Sequence, residues 1–355
     1  MKKNCMPLRM MTFLLGKISS GLNLLLPNGG PHPLHVQWFL TGVCNYRCPS
    51  CLVWLQPFKK ELVTEEIKRG INILNELKVA DLTFTGGNPL LRRDIGEVLE
   101  YAHEKFPVVT IYDNGSLAYK KIDALKHADR VCISLNTFKE DMQNIMSGAP
   151  RAFQDAHRSI DALEKEGISV VVSITISEAN MDEVPNLVEH FGERGIPMNF
   201  SLYNETSLED GAFKIGTSVD EFKFRRRERL VMLLEQLKDF KKRYPLHLDS
   251  RTIDSARDLY SNGKRNWQCQ ALTSFFTVNE VGDVSGCHVH RPLCKIWDLP
   301  DLWKSDGFDK TREHYHNCEM CTYMCYIAYS QMKTVGDLFY YAWDYESHNL
   351  RKLFH

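Results

Sequence analysis

Between about His35 and Asn204 the chain alternates short apolar or β-branched runs with longer stretches whose apolar positions recur every three to four residues. Short apolar runs read as buried strands, and the 3.6-residue recurrence reads as a helix with one face on a core. The alternation predicts strands over His35–Leu40, Asp81–Thr85, Val108–Tyr112, Arg130–Leu135, Ser169–Ile176 and Met198–Leu202. Between them, Ile67, Ile71, Leu74 and Leu77 share one face of a helix with Thr64 as its candidate cap. Ile95, Val98, Leu99 and Ala102 do the same behind Asp94. Ala156, Ile160 and Leu163 mark another helix, and Val184, Leu187, Val188 and Phe191 the next. Repeated strand–helix units build a parallel sheet. Six repeats are too few for a closed eight-stranded barrel. The expected α/β core is therefore an open, partial (βα)6 barrel over 34–215, with functional groups at the C-terminal strand ends.

Outside this core the pattern changes. Residues 1–33 form an apolar extension interrupted by Arg9, Lys17 and Asn23. It reads either as a helix packed on the first domain or as an interfacial helix making peripheral membrane contact. A Gly-, Ser-, Asn- and Asp-rich loop from Asn204 to Ser218 leads into a helical connection over 216–266. There one long helix is expected from Val219 to Tyr244, stopped by Pro245. Its basic stretch Lys223–Arg229 is offset by Asp220, Glu221 and Glu228, and reads as a solvated face. From Trp267 to the end (267–355) the chain is poor in helical periodicity and dense in cysteine and aromatic residues. A hairpin signal lies at Glu280-Val281-Gly282-Asp283, and Phe339–Trp343 reads as a closing amphipathic helix. This small cysteine-rich C-terminal domain lacks the residues for a large core of its own, which bound metal would compensate.

Charge excludes some partners. With 44 Lys+Arg against 45 Asp+Glu the net charge is -1, which gives no footprint for bulk nucleic-acid binding. No apolar run approaches the roughly 20 residues of a membrane span. Eleven cysteines stand in a chain without a secretory signal pattern. In a cytoplasmic, reducing setting such thiols point to metal ligation or catalysis, not to a disulfide framework.

Three of them, Cys44, Cys48 and Cys51, form a C-x3-C-x2-C triplet directly after the first strand. A structural zinc site takes four protein ligands, and no fourth Cys or His stands nearby. Three thiolates and an open position suit a [4Fe–4S] cluster whose fourth iron binds something else. This triplet at the end of the first strand of a (βα)6 partial barrel resembles the radical S-adenosylmethionine (SAM) superfamily. The resemblance implies that the unique iron chelates SAM and that one electron, from a donor such as flavodoxin or ferredoxin, cleaves it to a 5'-deoxyadenosyl radical. Where the family commonly has an aromatic residue immediately before the last cysteine, this chain has Ser50. Gly86-Gly87-Asn88-Pro89 matches the family's GGEP motif with Asn88 in place of Glu. The glycines allow close backbone approach, and Asn88 would accept from the SAM amino group through its amide oxygen, without a negative charge. Asp113-Asn114-Gly115 resembles the family's TNG position. Ser134 and Asn136 stand where related enzymes hold the ribose or carboxylate of SAM.

Cys269, Cys287, Cys318 and Cys321 make a second set. A hairpin with a Gly turn brings two thiols together, and a C-x2-C loop supplies two more, which fits zinc or an Fe–S cluster equally. The pattern C-x12-G-x4-C followed by C-x2-C resembles the opening of the SPASM domain and its shorter twitch form. Only Cys325 follows the pair, which favours a twitch domain with one auxiliary [4Fe–4S] cluster; Cys325 and Cys294 are alternate ligands. His288, His290, His314 and His316 flank these cysteines as outer or surface groups, and Cys5 and Cys132 read as ordinary thiols.

The resemblance implies a radical SAM oxidoreductase or transferase that abstracts hydrogen from a C–H bond of a peptide or small molecule, its auxiliary cluster supporting oxidation or bond formation. Radical modification of a lipid or tRNA, and a non-catalytic Fe–S or zinc regulatory protein on a degenerate scaffold, are the other readings.

Overall fold

The computed structural model describes residues 33–57, 59–204, 219–320 and 322–345. The expected N-terminal helix, the Asn204–Ser218 loop after its first residue, and Cys5 and Cys321 lie outside them. Each predicted strand forms: β1 (His35–Thr41), β2 (Asp81–Gly86), β3 (Val108–Asp113), β4 (Arg130–Ser134), β5 (Val170–Ile176) and β6 (Met198–Leu202). They pair in sequence order and all in parallel. The helices between them include α1 (Thr64–Glu76), α2 (Ile95–His103), α3 (Ile122–Leu125), α4 (Glu140–Ser147), α5 (Ala152–Lys165) and α6 (Val184–Glu193).

The period-two alternation of each strand decides which face meets which environment. Val36, Trp38, Leu82, Phe84, Val109, Ile111, Val131, Ile133, Val172 and Ile174 point outward into one core shared with the helices. The intervening Gln37, Thr83, Thr85, Tyr112, Ser134, Ser173, Thr175 and Ser201 line a single cavity. Residues from all six strands thus surround one space, so the sheet is curled into the open barrel predicted. Its inner wall is polar.

Two helix starts differ from expectation. Thr64 is the first helical residue of α1 and caps nothing. Its hydroxyl donates to the Asp94 carboxylate at 2.8 Å, so the two expected caps are joined to each other. The Val63 N–H that begins α1 is instead taken by Glu66 at 3.0 Å.

The single helix expected over Val219–Tyr244 is shorter. A 3-10 turn at Asp220–Phe222 is followed by extended chain, and α7 covers Arg227–Lys241. The cause is tertiary: Glu178 accepts the Arg225 and Arg226 backbone N–H groups, and Arg226 and Arg229 pair with Asp182. The basic stretch is therefore partly committed to the loop after β5. A further helix, α8 (Ser250–Asn262), packs on α7.

The hairpin forms where predicted. β7 (Phe275–Val278) and β8 (Asp283–Ser285) pair antiparallel across Asn279–Gly282, and β9 (Cys294–Lys295) pairs with β8. β7 also pairs in parallel with β1, so this hairpin extends the barrel sheet to nine strands among the described residues. Phe275, Phe276, Val278 and Val284 join the main core. The C-terminal region does not rely on a small core of its own. It is also more helical than its periodicity implied, with α9 (Leu299–Leu302), α10 (Asp306–His316), α11 (Met324–Ser330) and α12 (Val335–Tyr345). The closing helix is the one predicted from Phe339–Trp343; Tyr341 packs against Leu34 and Met332, while Phe339 and Trp343 are exposed. No helix among the described residues is long and apolar enough to cross a membrane.

Candidate active site

The Cys44–Cys51 loop leaves the C-terminal end of β1, where its geometry is fixed from below. Glu61 accepts the Thr41 hydroxyl at 2.7 Å and the Gly42 N–H at 2.9 Å, while Arg92 reaches the Leu40 carbonyl at 3.2 Å. Farther along, the Cys48 thiol lies 3.3 Å from the Ser147 carbonyl, and Trp54 donates its indole N–H to the Cys48 carbonyl at 3.3 Å. Cys48 and Cys51 line the barrel cavity, whose volume is about 360 Å³.

These thiols are held in a setting that resists ionisation. Burial, with neighbouring cysteines adding to it, raises the Cys48 thiol to about 12 and the Cys51 thiol to about 11. Burial raises Cys44 as well. Three mutually repelling sulfurs sheltered from water are a poor arrangement for free thiolates. A cationic iron cluster reverses that balance, since a bound metal favours the deprotonated ligand. No three described His, Cys, Asp or Glu side chains are grouped closely enough to hold a single metal ion.

The Gly86-Gly87-Asn88-Pro89 turn abuts this loop. Gly87 donates its N–H to the Thr41 carbonyl and Asn88 to the Val43 carbonyl, both at 2.8 Å. A Cβ on Gly87 would fall 2.1 Å from the Val43 oxygen. The glycines therefore permit contact between two loops, and the amides at 87 and 88 are engaged within the chain. Pro89 begins a short 3-10 turn and is buried. Asn88 is itself tied into the chain. It is fully buried; its amide oxygen accepts the Leu90 N–H at 2.9 Å, and its Nδ2 donates to Asp113 at 2.7 Å.

Asn114 lines the cavity and carries its Nδ2 to within 3.8 Å of the Cys44 sulfur. Ser134 and Asn136 line it from the end of β4. Asn136 is held by Gln143, which accepts its N–H at 2.8 Å, and its own side-chain oxygen accepts the Thr175 N–H at 2.7 Å. Gln143 has no distinguishing signal in the sequence beyond its place in an ordinary helix.

A second, narrow cavity gathers Cys269, Cys287 and Cys318 with His290, Tyr315 and Trp267. His290 Nε2 lies 3.3 Å from the Cys318 sulfur. Cys321, outside the described residues, follows Cys318 by three positions. The alternates lie elsewhere. Cys294 sits in β9, and Cys325, on α11, faces the barrel cavity. Beside Cys287, buried His288 lines the same barrel cavity. The wall between the two cavities is thus built from the chain around the second cysteine set.

The family model for the Radical SAM superfamily matches residues 38–191. Fe-coproporphyrin III synthase of Methanosarcina barkeri is 32% identical over 78% of this chain and 71% of its own. The chain belongs to the radical SAM superfamily. An AdoMet-dependent heme synthase of Nitratidesulfovibrio vulgaris is 23% identical over 84% of this chain and 87% of its own. Among solved structures, native anSMEcpe with bound AdoMet and a Cp18Cys peptide shares the fold, with a TM-score of 0.62 at 14% identity. That match covers 90% of this chain and 98% of the other. This radical SAM protein is accordingly an enzyme whose cofactors are SAM and a [4Fe–4S] cluster.

Proposed function

We propose that this radical SAM enzyme abstracts hydrogen from an uncharged, hydrogen-bonding segment of a peptide or small molecule, supported by an auxiliary [4Fe–4S] cluster at Cys269, Cys287, Cys318 and Cys321. When bound, the first cluster and SAM supply a 5'-deoxyadenosyl radical able to attack an unactivated C–H bond, chemistry beyond side chains alone. Cys44, Cys48 and Cys51 would hold that cluster, Asn114 would orient its Cys44 end, and Ser134 and Asn136 would meet SAM from the end of β4.

The observation that carries the reading is the cavity itself. Cys48 and Cys51 line it together with His288, Tyr323 and Cys325 from the second cysteine region. Its described lining contains hydroxyls, amides and aromatic rings but no Asp, Glu, Lys or Arg. A multiply charged substrate would lose its hydration there without an ionic partner, whereas a peptide backbone finds donors and acceptors. The bound peptide of anSMEcpe agrees with that class.

The test is anaerobic reconstitution with iron and sulfide, then dithionite, SAM and capped, uncharged, perdeuterated peptides. Deuterium in the 5'-deoxyadenosine is expected. Absence of 5'-deoxyadenosine sinks the catalytic reading; unlabelled 5'-deoxyadenosine with every peptide sinks the substrate class.

A further inference from the structure

Asn88 sits at the centre of a hydrogen-bonded hub that joins the loops after β1, β2 and β3. Its Nδ2 lies 2.7 Å from Asp113 Oδ1, 3.1 Å from Asn114 Oδ1 and 3.2 Å from Asn45 Oδ1. Asp113 Oδ2 in turn accepts the backbone N–H groups of Gly115, Leu117 and Ala118 at 3.1, 3.3 and 3.0 Å. Asn88 is 0% and Asp113 2% exposed. From this hub Asn114 reaches Asn45 at 3.0 Å and the Cys44 sulfur at 3.8 Å.

Both positions depart from the motifs they otherwise resemble: an amide replaces the acid at 88, and an acid stands before Asn114-Gly115. The two departures touch. We propose that Asn88 and Asp113 form one coupled positioning unit, a carboxylate–amide clamp that sets the Cys44 end of the cluster loop, and that the residue at 88 must be an amide because the acid of this site stands at 113. A buried carboxylate needs donors on every side. Three come from backbone N–H groups and one from Asn88. Glu at 88 would replace a donor by a second carboxylate in contact, and two such groups cannot both ionise without a large penalty. Restoring the motif residue therefore harms the site. This inference concerns the SAM end of the cavity and does not depend on the substrate or on the auxiliary cluster.

The test is a double-mutant cycle with Asn88→Glu, Asp113→Asn and the pair, each reconstituted anaerobically. SAM binding is read without turnover by the change it causes in the EPR signal of the reduced cluster, and unfolding of the apo chain is followed in parallel. Asn88→Glu is expected to weaken SAM at least about tenfold, the size of one unit of pKa-scale interaction. Asn88→Glu/Asp113→Asn, which exchanges amide and acid, is expected to recover most of that loss and the wild-type EPR line shape. Asp113→Asn removes negative charge near Cys44 and is expected to move the cluster potential upward. The proposal is overturned if Asn88→Glu binds SAM as well as wild type, or if the double variant is no better than Asn88→Glu. Should Asn88→Glu fail to fold, reconstitution of the double variant decides, recovery supporting the clamp and failure overturning it.

Discussion

The Nδ1 atom of His288 lies 2.7 Å from the Tyr326 hydroxyl, which itself donates to the Gln37 amide oxygen at 3.3 Å. A hydroxyl has one proton. With it given to Gln37, the imidazole must donate from Nδ1, which leaves Nε2 as an acceptor. Nε2 is buried with no partner among the described residues, and His288 lines the barrel cavity. The chain from β1 through α11 thus fixes which face of the imidazole a substrate would meet. Tyr326 also stacks on Phe275 at 4.8 Å, so Tyr326→Phe keeps the stacking and removes only the hydroxyl. The variant is expected to lose about 1–3 kcal/mol, because the His288 donor is left buried and unmet. Denaturant unfolding of the two proteins measures this; equal midpoints would remove the bond from the account.

Gly87 and Gly167 separate crowding from backbone strain. Gly167 has φ +69°, with nothing within 4 Å of an added Cβ; at Gly87 the Cβ would meet the Val43 oxygen at 2.1 Å. Gly167→Ala is expected to cost about 1–2 kcal/mol, the ordinary penalty of the left-handed region, and to leave iron content unchanged. Gly87→Ala must displace the cluster loop. It is expected to lose iron from the Cys44–Cys51 site after reconstitution, read by iron analysis and the EPR signal. Full iron in Gly87→Ala would mean that the loop yields at little cost.

The cysteines make a sharper experiment, because location divides them. Cys269, Cys287 and Cys318 share one cavity, while Cys325 lines the barrel and Cys294 lies in β9. Two [4Fe–4S] clusters would bring about eight irons per chain. Cys269→Ala is expected to remove about four of them, and Cys325→Ser and Cys294→Ser none. Retention of all iron by Cys269→Ala would take that residue out of the ligand set.

How much of this was legible follows from the range of the interactions. The six strands were readable because each carries its own record: apolar positions such as Val131 and Ile133 face the helices while Ser134 faces the lumen. The cysteine loop stood out for the same reason, its three thiols lying within eight residues of one another. The start of α7 was not legible, since Glu178 and Asp182, far back in the sequence, hold Arg225, Arg226 and Arg229. Nor was the contact of Asn88 with Asp113, a group 25 residues away that only the folded barrel brings to it. His290 beside Cys318 is a contact of the same kind, across 28 residues.

The floor of the barrel carries a pH dependence with a definite sign. Asp81, Arg130, His247 and Asp249 surround a smaller cavity of about 100 Å³ that shares Thr83, Tyr112 and Ser201 with the larger one. Burial holds His247 well below the ordinary histidine value, and Arg130 and Lys241 add to the depression. The folded chain therefore keeps this imidazole neutral at a pH where the unfolded chain takes up a proton. Below about pH 6.5 the unfolded state binds more protons, so stability falls as pH falls, by up to about 1.4 kcal/mol per pH unit for one such group. Asp249 is raised by burial and acts in the opposite direction, and other buried histidines act in the same one, so His247 is isolated by comparison with a variant lacking the imidazole over a window of about pH 5 to 6.5. Unfolding free energies of wild type and His247→Gln across that window are expected to converge toward pH 5, as the wild type loses stability that the variant has no imidazole to lose. A difference that stays constant with pH would show that His247 takes up its proton equally in the folded and unfolded chain.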